Sequence, residues 1–220
     1  MAHRAFIYSV LAAVIVGGCL VEYGGARGLA RLPQRKRVLV AGAIAGSCAL
    51  GAAVFRGSLL ASNCLIFAAA LFVAALLAPS LRSARALMAF LVAGAVADLL
   101  STYIGPTRWV VRSWIHGSGL TAMRFLAVTV PLAGKPIPVI GVGDMLFFAV
   151  CVLVARRLGW PEVPVFLVPL AAYLAALCVG LLVGLTPALP FLAVGVFAYV
   201  SISGRHGSGT PNHVSNSALS

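Results

Sequence analysis

Asp98 and Asp144 are the residues of this 220-residue chain whose type and position could do chemistry, because each lies inside a long apolar run. An ionisable side chain at membrane depth costs at least about 2.5–3.5 kcal/mol on insertion scales, so it usually has a function. Two carboxylates that face each other at low dielectric cannot both ionise easily, and they share one proton. One of them can then take a proton from water while the protonated partner supports the attacked carbonyl.

The two aspartates lie in apolar runs that follow each other along the chain, which predicts neighbouring antiparallel helices. Asp98 lies about six residues before position 104, and Asp144 lies about seven residues after position 137. At about 1.5 Å of rise per residue, these counts predict nearly the same depth for both carboxylates. We therefore expect them to face each other across one site.

Two short motifs accompany the aspartates. The first consists of Gly141, Val142, Gly143 and Asp144, and the second consists of Pro187, Ala188 and Leu189. The glycines remove side-chain bulk where a substrate backbone would approach the carboxylate. The prolines at 187 and 190 predict irregular backbone, which membranes tolerate only where it is buried or lines a polar cavity. Both motifs are expected on the side of the bundle that holds the loop between the aspartate helices.

The composition requires lipid as the solvent for most of the chain. Hydrophobic residues make up 62% of the sequence, charged residues make up 9%, and the mean hydropathy is +1.08. This is more apolar surface than a soluble domain of this length can bury. Crossing about 30 Å of hydrocarbon takes about 20 helical residues. Runs of suitable length cover residues 5–21, 38–55, 59–78, 86–104, 137–155, 163–185 and 187–202.

These seven runs predict an all-α fold, a polytopic transmembrane helix bundle formed by residues 1–203. The polar segment 204–220 has no apolar periodicity and is expected to be disordered. From Leu126 the sequence LAVTVPLAGKPIPVIGVG, which leads into the fifth run, is rich in β-branched side chains and prolines. It predicts either a short β-hairpin or an irregular loop that faces lipid. Tryptophans beside arginines in the preceding residues 105–125 indicate an interfacial segment.

The charges indicate orientation rather than nucleic-acid binding. The net charge of +12 comes from 16 Lys and Arg against four acidic residues, and no soluble basic module carries it. Counted on alternate sides of the seven runs, six Lys and Arg lie on the side of the N terminus and ten on the other side. Positive residues favour the cytoplasm, which places the N terminus outside and the C terminus inside. The five cysteines show no CxxC spacing, and neither a metal nor a cofactor is predicted.

The order of these motifs resembles the presenilin and signal peptide peptidase family of intramembrane aspartyl proteases. The resemblance consists of Asp98 in one run, GVGD with Asp144 in the next, and the Pro187-Ala188-Leu189 element two runs later. It covers residues 86–202, about half of the chain. It implies that the two aspartates are the catalytic pair, that Gly141, Val142 and Gly143 belong to the active-site motif, and that residues 187–189 shape the site and hold substrate.

The chain departs from the family in two respects. Family members usually have nine spans and a Tyr before the first aspartate, whereas this chain has seven predicted spans and Ala97. It would be a short homologue, and its preference for Arg over Lys together with abundant Ala and Gly indicates a prokaryotic plasma membrane. The predicted orientation resembles that of signal peptide peptidase, which implies single-span membrane proteins or signal peptides as substrates. Because a helical substrate must unwind before cleavage, we expect residues 128–140 and 187–189 to pair with its freed backbone.

Other readings of the aspartates lead to different functions. A prepilin peptidase also carries GxGD and cuts at the membrane surface, but a Lys-containing stretch usually follows that motif, whereas Met145 and three further apolar residues follow it here. A proton- or cation-coupled transporter would use the aspartates as a relay and would be expected to show repeat-related broken helices, which the sequence does not indicate. A catalytically silent membrane scaffold is a further alternative, which Ala97 leaves open.

Overall fold

The structure is a computed structural model, which describes residues 2–55, 58–105, 107–109, 112, 126–132, 135–183 and 186–206. These residues form seven helices and one two-stranded antiparallel sheet. The elements are α1 (Ala2–Ala30), α2 (Gln34–Val54), α3 (Leu59–Leu77), α4 (Ala84–Tyr103), β1 (Ala127–Leu132), β2 (Lys135–Gly141), α5 (Val142–Arg157), α6 (Glu162–Val183) and α7 (Leu189–His206). The predicted helical bundle and the predicted hairpin are both present.

Five of the described helices are long and apolar enough to cross a membrane, as expected of a membrane protein. These candidate spans are Ser9–Ala30, Gln34–Val54, Leu59–Leu77, Ala84–Trp109 and Glu162–Gly180. The apolar part of α7, Leu189–Ser203, is shorter, and α5 has 16 residues. Seven crossings therefore stay a prediction.

Local sequence explains where two of these helices begin. The Ala61 backbone N–H donates a hydrogen bond to the Ser58 hydroxyl at the start of α3, and the Ala86 backbone N–H donates one to the Ser83 hydroxyl at the start of α4. Such caps satisfy amides of the first turn, which have no partner inside the helix. These two caps mark the starts of α3 and of α4, the helix that carries Asp98.

The helix that carries Asp144, α5, is the centre of the bundle. Its residues from Phe148 to Ala155 are all buried. The helices α3 and α1 pack along it, and α6 also contacts it. The helix α4, which carries Asp98, instead packs mainly along α7, and α7 packs on α6. The two aspartates thus belong to different groups of packed helices.

The hairpin corrects the predicted fifth span. Residues 137–141 were expected to begin a helix, but they are part of β2, and α5 begins at Val142. Apolar β-branched residues satisfy a hydropathy criterion whether they form a strand or a helix, and pairing with β1 decides in favour of the strand. The strands pair from Ala127 with Gly141 to Leu132 with Lys135, with an irregularity between Val128 and Thr129.

Two other predicted boundaries differ from the structure. The first helix extends to Ala30 and therefore contains Glu22, whereas the predicted run ended at position 21. The last helix extends to His206, so residues 204–206 of the predicted disordered tail are helical. Residues 207–220 of that tail lie outside the described residues. Residues 113–125, which include Trp114 and much of the predicted interfacial segment, also lie outside them.

Polar contacts join several elements at one end of the bundle. Glu162 at the start of α6 forms ion pairs with Arg27 of α1 at 3.0 Å and with Arg156 of α5 at 2.6 Å. Arg157 donates a hydrogen bond to the Pro79 carbonyl oxygen in the connection between α3 and α4. The C-terminal ends of α1 and α5, the start of α6 and the connection between α3 and α4 therefore lie together. The two aspartates lie toward the opposite end.

Candidate active site

A cavity of about 910 Å³ lies among α4, α5, α7 and the hairpin. All the predicted site residues line it, namely Asp98, Gly141, Val142, Gly143, Asp144, Pro187, Ala188 and Leu189. The wall also includes Pro138, Val139 and Ile140 of β2 and Tyr173 of α6. The structure thus brings together three segments that are separated by up to 91 residues in the sequence.

Asp144 lies in the first turn of α5, directly after β2. Its Oδ2 accepts a hydrogen bond of 3.0 Å from the Gly141 backbone N–H, three residues earlier. The Tyr173 hydroxyl donates a hydrogen bond of 2.6 Å to the Asp144 carbonyl oxygen. The carboxylate is therefore held by its own turn, and the backbone behind it is held by α6.

The two glycines of the motif have different surroundings. A Cβ on Gly141 would lie 3.1 Å from Asp144 Oδ2, so the carboxylate would have to shift by a few tenths of an ångström. A Cβ on Gly143 would meet no atom within 4 Å, and this residue lines the cavity. Gly141 therefore leaves room for the aspartate, whereas Gly143 leaves room for whatever occupies the cavity.

Asp98 is held by a different helix. The Leu189 backbone N–H donates a hydrogen bond of 3.1 Å to Asp98 Oδ2, across 91 residues of sequence. The Thr102 hydroxyl, one turn along α4, donates a longer one of 3.5 Å to Oδ1. Leu189 is the first residue of α7, where backbone amides lack partners inside the helix and attract negative charge. The proline at 187 keeps the preceding backbone out of the helix, so this amide is available to the carboxylate.

The aspartate helices approach each other at Gly94 of α4. A Cβ at this position would lie 2.2 Å from the Phe147 ring of α5, which no side chain tolerates. The Phe147 ring is stacked on Phe90, with centroids 4.6 Å apart, and it also lines the cavity. Gly94 is one turn before Asp98, and Phe147 is three residues after Asp144. The close approach therefore lies directly beside the two carboxylates.

The predicted start of the helix that carries Asp144 was wrong. Asp144 was expected seven residues into a helix, but only Val142 and Gly143 precede it in α5. Asp98, by contrast, lies five residues before the end of α4. The strand β2 takes the place of the first part of the predicted helix and continues directly into α5. Asp98 therefore lies within a helix, whereas Asp144 lies just after the junction between a strand and a helix.

Sequence reasoning missed several residues of the site and its surroundings. Tyr173 and Thr102 touch the aspartates, but a hydroxyl in an apolar run carries no specific signal. Glu22 is a third acid at membrane depth and is fully buried in α1. After Glu22 the chain continues with uncharged residues up to Ala26. This continuation indicates that the apolar run does not end at position 21.

No known protein family matches the chain, and neither the curated proteins nor the solved structures contain a match to it. The cavity itself has largely apolar walls, two carboxylates, backbone N–H groups that donate to them and a strand at its rim.

Proposed function

We propose that this chain is an intramembrane aspartyl protease in which Asp98 and Asp144 together activate water. One carboxylate removes a proton from water as the water oxygen attacks the peptide carbonyl carbon. The protonated partner hydrogen-bonds the developing gem-diol oxygen and later protonates the leaving nitrogen as the C–N bond breaks. The products are a new carboxyl end and a new amino end, and the pair regains its single shared proton. The mechanism requires neither a metal nor a cofactor.

The hydrogen bond between the Leu189 N–H and Asp98 Oδ2 is the observation that carries this proposal. It joins the Pro187-Ala188-Leu189 element to the first aspartate, while Asp144 lines the same cavity. A structural pair of acids would need neither an open cavity nor an irregular helix start between them. A cavity of this size in an apolar wall is suited to a segment of peptide chain.

The substrate class follows from the walls of the cavity. Residues 138–141 of β2 form one side, and residues 187–189 form another. A transmembrane helix that unwinds here exposes backbone N–H and C=O groups, which need partners inside a membrane. Addition of the unwound segment as a strand beside β2 would supply them. We therefore propose single-span membrane proteins or signal peptides as substrates.

We propose seven crossings, with the N terminus outside and the C terminus in the cytoplasm of a prokaryotic plasma membrane. The ion pairs of Glu162 with Arg27 and Arg156, and the bond from Arg157 to the Pro79 carbonyl, support this arrangement. They gather basic residues at a single end of the bundle, as the positive-inside rule expects of a cytoplasmic face. Because α5 is surrounded by protein, its 16 residues do not have to match the thickness of the lipid.

Cleavage of a labelled single-span peptide by the purified protein in detergent tests the proposal. Wild-type protein is compared with Asp98→Asn and Asp144→Asn, which keep side-chain volume and remove the titrating group. Loss of general acid–base catalysis predicts a rate about 10²–10⁴-fold lower in each variant. A peptide analogue with a hydroxyl group that mimics the tetrahedral intermediate is expected to inhibit the wild type.

Glu162→Gln is the matched control, because it removes an acid at the other end of the bundle. Its exposed ion pairs contribute little to stability, so cleavage by this variant is expected at the wild-type rate. Size-exclusion profiles and thermal unfolding check that all variants are folded. Cleavage at the wild-type rate by both aspartate variants would show that the dyad is not catalytic.

A further inference from the structure

Asn63 of α3 makes two hydrogen bonds with the backbone of a single residue of β1. Its Nδ2 donates to the Thr129 carbonyl oxygen at 2.8 Å, and its Oδ1 accepts from the Thr129 N–H at 2.9 Å. A carboxamide offers one acceptor and one donor side by side, as a residue of a neighbouring antiparallel strand does. Asn63 therefore occupies the position of a third strand beside β1.

The pairing of the hairpin explains why the Thr129 backbone is turned toward Asn63. Thr129 lies opposite Pro138 in β2, and proline has no N–H to donate across the pair. Both backbone groups of Thr129 consequently point to the outer edge of β1. Thr129 is 1% exposed, so water cannot satisfy these groups. Without Asn63, a buried donor and a buried acceptor would lack partners.

Anchoring one edge of the hairpin has consequences for the other edge. The side of β1 at Thr129 is closed to a further strand. The strand β2 provides Pro138, Val139, Ile140 and Gly141 to the cavity wall, and it runs without a break into the turn that holds Asp144. A displacement of the hairpin relative to α3 would thus also shift β2 relative to the carboxylates.

We propose that Asn63 is a positioning and specificity-determining residue, which fixes the hairpin so that β2 presents a substrate strand to the aspartates in one register. This inference rests on the proposed proteolytic function. Asn63 does not touch the reacting atoms. It acts through Thr129 and the pairing of β1 with β2, and it determines which peptide bond of the substrate lies at the dyad.

The test compares wild type with Asn63→Leu and Asn63→Ala. Leucine is similar in size and makes neither hydrogen bond, whereas alanine removes both hydrogen bonds together with most of the side-chain volume. We expect both variants to cleave a single-span peptide about tenfold more slowly and to release products whose masses correspond to cleavage at neighbouring bonds. A loss of fold stability alone lowers the rate without moving the cleavage position.

Cys64→Ala is the matched control, because Cys64 is the next residue of α3 and its side chain is exposed. It is expected to give wild-type rates and product masses. Hydrogen exchange supplies a measurement that does not depend on cleavage. The amides of β1 should exchange faster in Asn63→Leu than in wild type, and the Cys64→Ala variant should not differ from wild type.

The outcomes separate this inference from the proposed function. If Asp98→Asn and Asp144→Asn abolish cleavage but the Asn63 variants give wild-type product masses, the positioning role is overturned and the proteolytic function stands. If the aspartate variants cleave normally, the proteolytic function fails and the register claim fails with it. Unchanged exchange of β1 in both Asn63 variants also overturns the positioning role, whatever the cleavage assay shows.

Discussion

The two aspartates of the cavity are held in place in different ways. Asp144 accepts its hydrogen bond from Gly141, three residues away in the same turn. Asp98 accepts its shorter hydrogen bond from Leu189, which lies 91 residues away at the start of α7. The conformation around Asp144 is thus determined by local sequence, whereas the surroundings of Asp98 depend on how α7 docks on α4.

This difference indicates which substitutions outside the two motifs would disturb the site. The helix α5 is enclosed by α1, α3 and α6, so Asp144 has a rigid support. The helix α4 packs mainly along α7 and meets α5 only in a small contact beside the aspartates. Changes at the contact between α4 and α5, or at the start of α7, should therefore impair the dyad most.

Apart from the aspartates themselves, the largest effect is expected from Gly94→Ala, which places a methyl group 2.2 Å from the Phe147 ring. To relieve this overlap, the Phe147 ring must shift or α4 and α5 must separate, and both changes occur beside the two carboxylates. Displacement of a catalytic group by about 1 Å can lower the rate roughly 100-fold. Overpacking should also lower the free energy of unfolding by about 1–3 kcal/mol. Initial rates of peptide cleavage and thermal unfolding measure the two effects.

The control for Gly94→Ala is Gly46→Ala in α2, where a Cβ would meet no atom within 4 Å. This change should leave cleavage and unfolding unaltered. The double variant Gly94→Ala with Phe147→Leu replaces the opposing ring by a smaller side chain. This change should restore part of the lost rate. An additive loss in the double variant would contradict the overlap as the cause.

The sequence predicts the surroundings of Asp144 better than it predicts those of Asp98. The GVGD motif indicates both the aspartate and the glycine that makes room for it, because the two residues share one turn. The hydrogen bond of Asp98 to Leu189 could not be read from the chain, although the order of the helices predicted that Pro187-Ala188-Leu189 would come near. Periodicity and hydropathy predict elements, whereas atom-to-atom contacts between distant residues depend on packing that only the fold defines.

The hairpin and Asn63 show where such patterns fail. The strand β2 is as apolar as a spanning helix, so the predicted fifth helix began at position 137 instead of Val142. A polar side chain such as Asn63 within an apolar run signals that a partner exists, but it does not identify the partner. Thr129 is 66 residues away, and its outward backbone depends on the register with Pro138.

An intermediate effect is expected from Leu189→Pro, which removes the N–H that donates to Asp98. Proline is well tolerated at the first position of a helix, so α7 should still form. A hydrogen bond to a charged group contributes about 1.5–3 kcal/mol, which corresponds to a rate about 10-fold to 150-fold lower. Comparison with Leu189→Ala, which keeps the N–H and removes the buried side chain, isolates this bond in the same cleavage assay. Equal rates for the two variants would mean that the N–H does not support the reaction.

The smallest effect on catalysis is expected at Glu22, a third acid at membrane depth. Glu22 tests whether burial alone makes an acid catalytic. Glu22 is fully buried, and neither carboxylate oxygen has a hydrogen-bond partner among the described residues. Burial alone does not create a catalytic acid if donors and a cavity are lacking, so Glu22→Met should leave the cleavage rate within about twofold of wild type.

The same substitution should raise the melting temperature, because a buried polar group without a partner costs about 1–3 kcal/mol and methionine fills a similar volume with apolar atoms. Glu22→Gln serves as the near-isosteric comparison: it keeps polar atoms in the same place and should stabilise less. Thermal unfolding and initial rates are measured on the same preparations. A large loss of cleavage by folded Glu22→Met protein would mean that a third carboxyl group takes part in the reaction, and the dyad would then be an incomplete description of the site.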